Sequence, residues 1–419
     1  MTPPSVPGDA AAVLGARRGR LLRINVRLGP RVLGKHRVLI LVAVLLTACL
    51  FRAGLALATP ADKTPAARAP PSGACGPGKE MHLRSPLPFE AQSTLFRAGT
   101  GAGVMLGGCL YRPRGSARFP VLVMVTGSGN SPSAADFTSV RHAEALAAKG
   151  VGVFAFDKRG VGNSGGVVTG TDFKQRADDV AAAVRFVRGM PATTRVALWG
   201  VSQAGWVIPQ ALHKNDGVAF VILVSPAGVN PHEQMAFYVR NLALRLGCSR
   251  EQAAQVERLH RTVVRYYATG VGYAAAQALV DRDQREPWFE RFRTNDEFQE
   301  GIGVGGRLLP PAELAREWQE RPGAFAFYRS PSVFADYRPI YEALDRPTLI
   351  VHGSADTLVS VADSRAAFAA AFAKNGNRAV EVKVFEGAEH GVLDGPSFRP
   401  AYLELVSDWA SERFGVKHP

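Results

Sequence analysis

Cysteine is scarce in this chain of 419 residues, with four in all, Cys49, Cys75, Cys109 and Cys248. None stands in a C-x-x-C pair or at a Cys/His spacing suited to zinc, so neither a structural metal nor a metal cofactor is expected. Long apolar runs are missing too. The most apolar stretch, residues 38–51, reads V-L-I-L-V-A-V-L-L-T-A-C-L-F. It is shorter than the roughly 20 residues of a comfortable membrane span and has the length of a signal-peptide core. Nor is there a basic surface where a domain would sit. Of the formal net charge of +14, eight arginines (Arg17, Arg18, Arg20, Arg23, Arg27, Arg31, Arg37, Arg52) and Lys35 against Asp9 place +8 before residue 59, leaving +6 for everything after it. That remainder has no Lys/Arg cluster interleaved with aromatics, which argues against nucleic acid as a partner. What the chain does have is core-forming material. Hydrophobic residues make up 47% and charged residues 21%, the balance of a globular protein, which excludes wholesale disorder.

A basic start followed by an apolar run reads as an export leader over residues 1–58. Two exits compete. Leu46-Thr47-Ala48-Cys49 resembles a lipobox, which would lipidate Cys49, whereas Ala56-Leu57-Ala58 is an A-x-A site for cleavage after Ala58. An uncleaved helix would instead be a membrane anchor. The expectation is a soluble exported protein, with membrane attachment through the N-terminal segment as the alternative. Arg17-Arg18 is a weak twin-arginine match, far from the apolar run. Residues 58–71, A-T-P-A-D-K-T-P-A-A-R-A-P-P, are rich in Pro and Ala, so residues 59–85 read as a spacer, and folding begins near Pro86. In an oxidising compartment, pairing of Cys75 with Cys109 and two free thiols both stay open on sequence alone.

Beyond the spacer, periodicity predicts alternating strands and helices. Two strands at residues 92–98 and 104–111, separated by Gly-Thr-Gly-Ala-Gly, read as a hairpin. Near-continuous apolar runs at 121–126, 151–157, 196–200, 219–225, 348–352 and 381–385 read as strands buried on both faces. Helical patterns lie at 134–149, 173–188, 203–213, 361–374 and 401–413. This alternation predicts an α/β protein with a mostly parallel central sheet and helices on both faces. The rhythm breaks at residues 229–343, which hold helix-like segments at 251–267 and 313–320 but no core-type strand. We read this stretch as an inserted helical lid between core parts at 86–228 and 344–419. Its aromatics, Phe237, Tyr238, Tyr266, Tyr267, Tyr273, Trp288, Phe289, Phe292, Phe325, Phe327 and Tyr328, either wall a substrate pocket or pack lid on core.

In an open parallel sheet, reactive groups collect at the carboxyl ends of the strands. After the strand at 196–200 comes Gly200-Val201-Ser202-Gln203-Ala204-Gly205, opening directly into a helix. This resembles the nucleophile elbow of α/β hydrolases, with Ala204 where the pattern usually has glycine. A serine hydroxyl needs a base to take its proton. The fold's order of serine, acid, histidine leaves His390 and His418 as candidates, and His390, in Glu389-His390-Gly391 after the last strand, is the base. The acid is Asp356 in Gly353-Ser354-Ala355-Asp356; Asp363 falls inside the next helix, and His352 reads as a structural loop residue. The backbone amides of Gln203 and Ser128, the latter in Thr126-Gly127-Ser128-Gly129-Asn130, are the candidate oxyanion donors. The family more often has histidine where Thr126 stands.

Gly160-Val161-Gly162-Asn163-Ser164-Gly165 fits a dinucleotide fingerprint, but Asp157-Lys158-Arg159 separates it from its strand and no helix follows directly, so no cofactor is implied. The stretch instead resembles the D-x-R-G-x-G-x-S loop of α/β hydrolases, which in that superfamily shapes the floor of the active site. With these motifs in order over residues 86–419, the chain resembles bacterial α/β hydrolases of the serine-aminopeptidase-like esterase branch. The resemblance implies a carboxylic-ester hydrolase acting on a small-molecule ester through Ser202, His390 and Asp356. The same scaffold serves aminopeptidases and thioesterases. A peptidase would need a carboxylate for a free α-amino group, for which the insertion offers Glu233, Glu251, Asp281 and Asp283. A non-catalytic protein using the lidded pocket only to bind ligand is the reading from another class.

Overall fold

The computed structural model describes residues 75, 85–99, 103–167, 172–214, 217–290 and 307–416. The leader with Cys49, Ala58 and the arginine pair, most of the spacer, Phe292 and His418 lie outside these residues.

The chain opens with β1 (Phe89–Ala98) and β2 (Val104–Pro113), paired antiparallel from Phe89 opposite Pro113 to Ala98 opposite Val104. Then come β3 (Phe119–Val125), α1 (Phe137–Ala147), β4 (Gly152–Phe156), α2 (Phe173–Arg188), β5 (Thr193–Val201), α3 (Ala204–Leu212) and β6 (Val218–Val224). Helices α4 (Pro231–Arg245), α5 (Arg250–Thr269), α6 (Tyr273–Asp283) and α7 (Pro311–Glu320), with single-turn helices at Ala326–Arg329 and Arg338–Tyr341, precede β7 (Thr348–Gly353). The chain then forms α8 (Val361–Asn375), β8 (Val380–Phe385) and α9 (Pro400–Phe414). The eight strands lie in the order β1-β2-β4-β3-β5-β6-β7-β8. Pairings from β4 to β8 are parallel, and β2 joins β4 antiparallel.

The apolar runs of the central strands exist because both faces are covered. Val121, Val123 and Val125 of β3 pack with α2, α3 and α8 residues such as Val180, Ile208 and Phe368. Their neighbours Leu122 and Met124 pack on the opposite face with Val140 and Leu146 of α1 and Val406 and Trp409 of α9. Strand β8 departs from the expectation. It closes the sheet at one edge, and Val382 and Val384 are 43% and 41% exposed. Its V-E-V-K-V-F alternation is that of an edge strand, which has one neighbour and no need of cover on both faces. His352 also differs from the expected loop residue: it is the fifth residue of β7 and fully buried.

Between β6 and β7 the described residues form helices and no strand, and carry a hydrophobic cluster of their own. Tyr238, Tyr266, Tyr267, Trp288 and Phe289 are buried in it, so these aromatics pack the insertion. Helices α4 and α6 were not anticipated, although α4 has a clear start: Asn230 accepts from the Glu233 amide at 2.9 Å and Pro231 follows as the first helical residue. Cys75 and Cys109 form a disulfide, with Cα atoms 5.5 Å apart, fastening the segment before β1 to β2. Cys248 is buried and is not part of a disulfide. No helix among the described residues is long and apolar enough to cross a membrane.

Candidate active site

Ser202 stands between β5 and α3 with φ of +56°, a left-handed conformation that L-residues adopt at a cost of about 1 to 3 kcal/mol. The turn is possible because its flanks are small. A Cβ on Gly200 would sit 2.5 Å from the Ala204 Cβ and 2.5 Å from Ile208 Cδ1. Ala204, the departure from the usual glycine, therefore fits because its partner Gly200 has no side chain. The Ser202 amide donates to Val224 O at 2.9 Å, which holds the elbow against the end of β6.

Only two other non-glycine residues among those described have positive φ, Ser225 (+44°) and Val392 (+62°), and both belong to this region. Ser225 ends β6. Its amide donates to Val351 O at 2.7 Å, and its hydroxyl accepts from the Gly391 amide at 3.0 Å. The loop carrying His390 is thereby tied to the strand next to the one that carries Ser202. Gly353 lets that loop come close, since a Cβ there would lie 2.3 Å from Ala388 O and 2.4 Å from Glu389 O.

Asp356 and His390 are brought together: Nδ1 of His390 lies 2.8 Å from Oδ2 of Asp356. Oδ1 accepts from the amides of Leu358 and Val359, both at 2.9 Å. The aspartate side chain is fully buried and that of His390 is 20% exposed. Burial pushes the Asp356 carboxyl up, but the charge and hydrogen bond of His390 and the two amides outweigh it and hold the carboxyl below its usual range. Asp356 is thus an acceptor, and Nδ1 donates. Nε2 is left as the basic nitrogen, the tautomer a serine hydrolase needs. Among the described residues no hydrogen bond joins Ser202 to His390; bonds of this kind are often long in ligand-free enzymes. Asp363 lies in the first turn of α8, where its amide donates to Ser360 Oγ, so it plays no part in this pair.

Gln203 follows Ser202 at the start of α3 and is buried, while Ser128 is exposed in the loop after β3. That loop borders Ser202, because a Cβ built on Gly127 would be 3.3 Å from the Ser202 Cβ. Sequence reasoning missed what fastens it. The Lys158 ammonium donates to Gly127 O at 2.6 Å and Gly129 O at 2.5 Å, and Arg176 Nη2 donates to Thr126 O at 2.9 Å. Asp157 accepts from the amides of Ser133 at 2.7 Å and Ala134 at 2.9 Å, holding the loop's far end. A D-x-R-G stretch after a strand signals this loop but not which side chains reach it. Arg159 turns away and pairs with Asp179 at 2.7 Å. The described residues include no group of three or more His, Cys, Asp or Glu placed to hold a metal ion.

A mostly parallel sheet of this order, with a serine in a left-handed strand-to-helix turn, is the architecture of an α/β hydrolase, and the fold places the chain in that class. A family model described as X-Pro dipeptidyl-peptidase (S15 family) matches residues 102–385, and the chain belongs to that family. By class it is a serine hydrolase. The matched stretch holds Ser202 and Asp356 and ends just before His390. No curated protein matches the chain. Among solved structures, an esterase from Pyrococcus furiosus is similar at 17% identity and TM-score 0.47, over 81% of this chain and 97% of that one. An alpha/beta hydrolase from a Penicillium species is similar at 19% identity and TM-score 0.47, over 78% and 99%. Dipeptidyl peptidase 4 of Porphyromonas gingivalis is similar at 17% identity and TM-score 0.44, over 78% of this chain and 36% of that one.

Proposed function

We propose that the protein hydrolyses carboxylic esters through an acyl-enzyme, with Ser202 as nucleophile, His390 as base and Asp356 as the group that orients it. The observation that carries this reading is the 2.8 Å Asp356–His390 contact on a loop bonded to the strand beside the Ser202 elbow. Nε2 takes the serine proton as Oγ attacks the carbonyl carbon, and the amides of Ser128 and Gln203 receive the oxyanion. The proton then passes to the leaving alcohol, and water repeats the cycle on the acyl-enzyme. Ser202→Ala is expected to remove ester hydrolysis while retaining the fold, and Ser128→Ala to matter far less because its donor is backbone. Turnover on the best ester by the Ser202 variant at the wild-type rate would refute the assignment.

The family's description makes a peptidase the reading to separate. Among the described residues, the insertion carboxylates singled out for an α-amino group have other partners or no enclosure. Glu233 pairs with Arg261 at 2.6 Å, buried Asp283 with Arg282 at 2.6 Å, and Asp281 accepts from Gln277 at 2.8 Å. Glu251 sits in the exposed first turn of α5. This supports an ester over a peptide substrate. A panel of chromogenic esters, thioesters and Xaa-Pro anilides distinguishes them: the highest kcat/KM on an ester is expected, and on an anilide would overturn the preference. The insertion roofs the site in this reading, and the disulfide supports residence in an oxidising, exported compartment.

A further inference from the structure

We infer that Lys158 is a positioning residue of the oxyanion hole, which turns and polarises the peptide whose amide receives the developing charge; this rests on the serine-hydrolase reading above. The argument starts from peptide geometry. In a trans peptide the C=O and the following N–H point in opposite directions. Lys158 binds the carbonyl of Gly127, so the amide of Ser128 in the same peptide points away from the ammonium. The carbonyl of Gly129 is held by the same ammonium, and that of Thr126 by Arg176, which orients the amides of Asn130 and Gly127 in the same way. Three of the four peptides from Thr126 to Asn130 are thus set by two cations, and the same loop meets Ser202 at Gly127, where a built Cβ would lie 3.3 Å from the Ser202 Cβ.

A glycine-rich loop would otherwise have many orientations open to it, and a donor that must reorganise as charge develops loses much of its effect. The cation also acts through the peptide. A carbonyl that accepts from an ammonium makes its own N–H a stronger donor, because bonds in a chain polarise one another. Lys158 is placed for this role at some cost, since burial, and then Arg176 beside it, hold its ammonium well below the usual lysine range. Neither residue touches the substrate carbonyl in this scheme.

The test compares Lys158→Met, of similar length but without donors or charge, with the wild type and Ser202→Ala. Steady-state kinetics are measured on p-nitrophenyl acetate, with thermal melting of each protein. The proposal expects kcat to fall on the order of 100-fold in Lys158→Met, as for loss of an oxyanion donor, with KM within about threefold. It also expects an alkylboronic acid, which mimics the tetrahedral state, to lose affinity in proportion. A folded Lys158→Met with kcat within about threefold of wild type overturns it, as does a loss that falls on KM alone. If Lys158→Met does not fold, Lys158→Gln, which keeps a donor without the charge, is read the same way; failure of both to fold makes the lysine purely structural and also overturns it. An inactive Ser202→Ala beside a fully active Lys158→Met refutes only this proposal, whereas an active Ser202→Ala refutes the underlying reading.

Discussion

At Asp356 the two carboxylate oxygens have different work. Oδ1 is claimed by two backbone amides, which require an acceptor, and Oδ2 by the His390 Nδ1–H. In Asp356→Asn the amide oxygen must stay with the backbone donors, so its NH2 faces the imidazole. That forces the proton onto Nε2, the nitrogen that should accept from Ser202. A drop in kcat of about 10⁴-fold is expected with a melting temperature close to wild type, as when a triad aspartate becomes asparagine. A variant within tenfold of wild type would separate this pair from catalysis. The left-handed turn at Ser202 and the meeting of Asp356 with His390 were legible in the sequence because each residue follows a recognisable strand and small residues mark its turn. Lys158 and Arg176 were not. Their partners are carbonyls, which have no sequence signature, and Lys158 stood out only as the unspecified second position of the D-x-R-G stretch and as one of the residues that spoil a dinucleotide fingerprint.

Among the elements, the central strands were readable because cover on two faces leaves a run of apolar residues with no alternation, as in F-P-V-L-V-M-V of β3. The insertion was harder. Helices α4 and α6 bury narrow faces within a local cluster, so their sequences carry weak periodicity, and the aromatics there gave no sign of which face they serve. Position now divides them. Trp288 is 1% exposed in the insertion's own core, whereas Phe334 is 37% exposed and lies tilted against His232, ring centroids 4.7 Å apart. Trp288→Ala is expected to destabilise by about 3 to 5 kcal/mol, read as a lower urea midpoint, with little change in relative kcat/KM across acyl lengths. Phe334→Ala is expected to do the reverse if the insertion roofs the site. Unchanged acyl ratios in Phe334→Ala and similar variants of exposed aromatics would count against that role. The insertion is not mechanically independent of the site. Gln234 and Asn241 of α4 donate to the carbonyls of Leu358 at 2.8 Å and Thr357 at 3.2 Å, in the same turn that holds Asp356.

The whole molecule has a pronounced acid sensitivity built in. Burial lowers His142, His232 and His352 to about 4 and His260 to about 3. Below pH 6.5 the unfolded chain binds protons at these sites that the folded chain refuses, so stability is full above that pH and declines as pH falls toward 4. Each site contributes a slope of about 1.4 kcal/mol per pH unit within that window. Asp136, pushed up to about 6 by burial, and Asp179, also raised by burial, work in the opposite direction and offset part of this loss. The urea midpoint at pH 5 should therefore lie well below that at pH 7, and equal midpoints would show that these histidines are not buried neutral. The covalent link from Cys75 to Cys109 spans 34 positions and encloses the whole of β1, an edge strand of the sheet. A strand inside a closed ring can unzip but cannot leave, so it remains at high local concentration beside its own partner. Exchange of β1 with a neighbouring molecule, the usual route by which an open sheet edge recruits copies of itself, is topologically confined while the ring is intact.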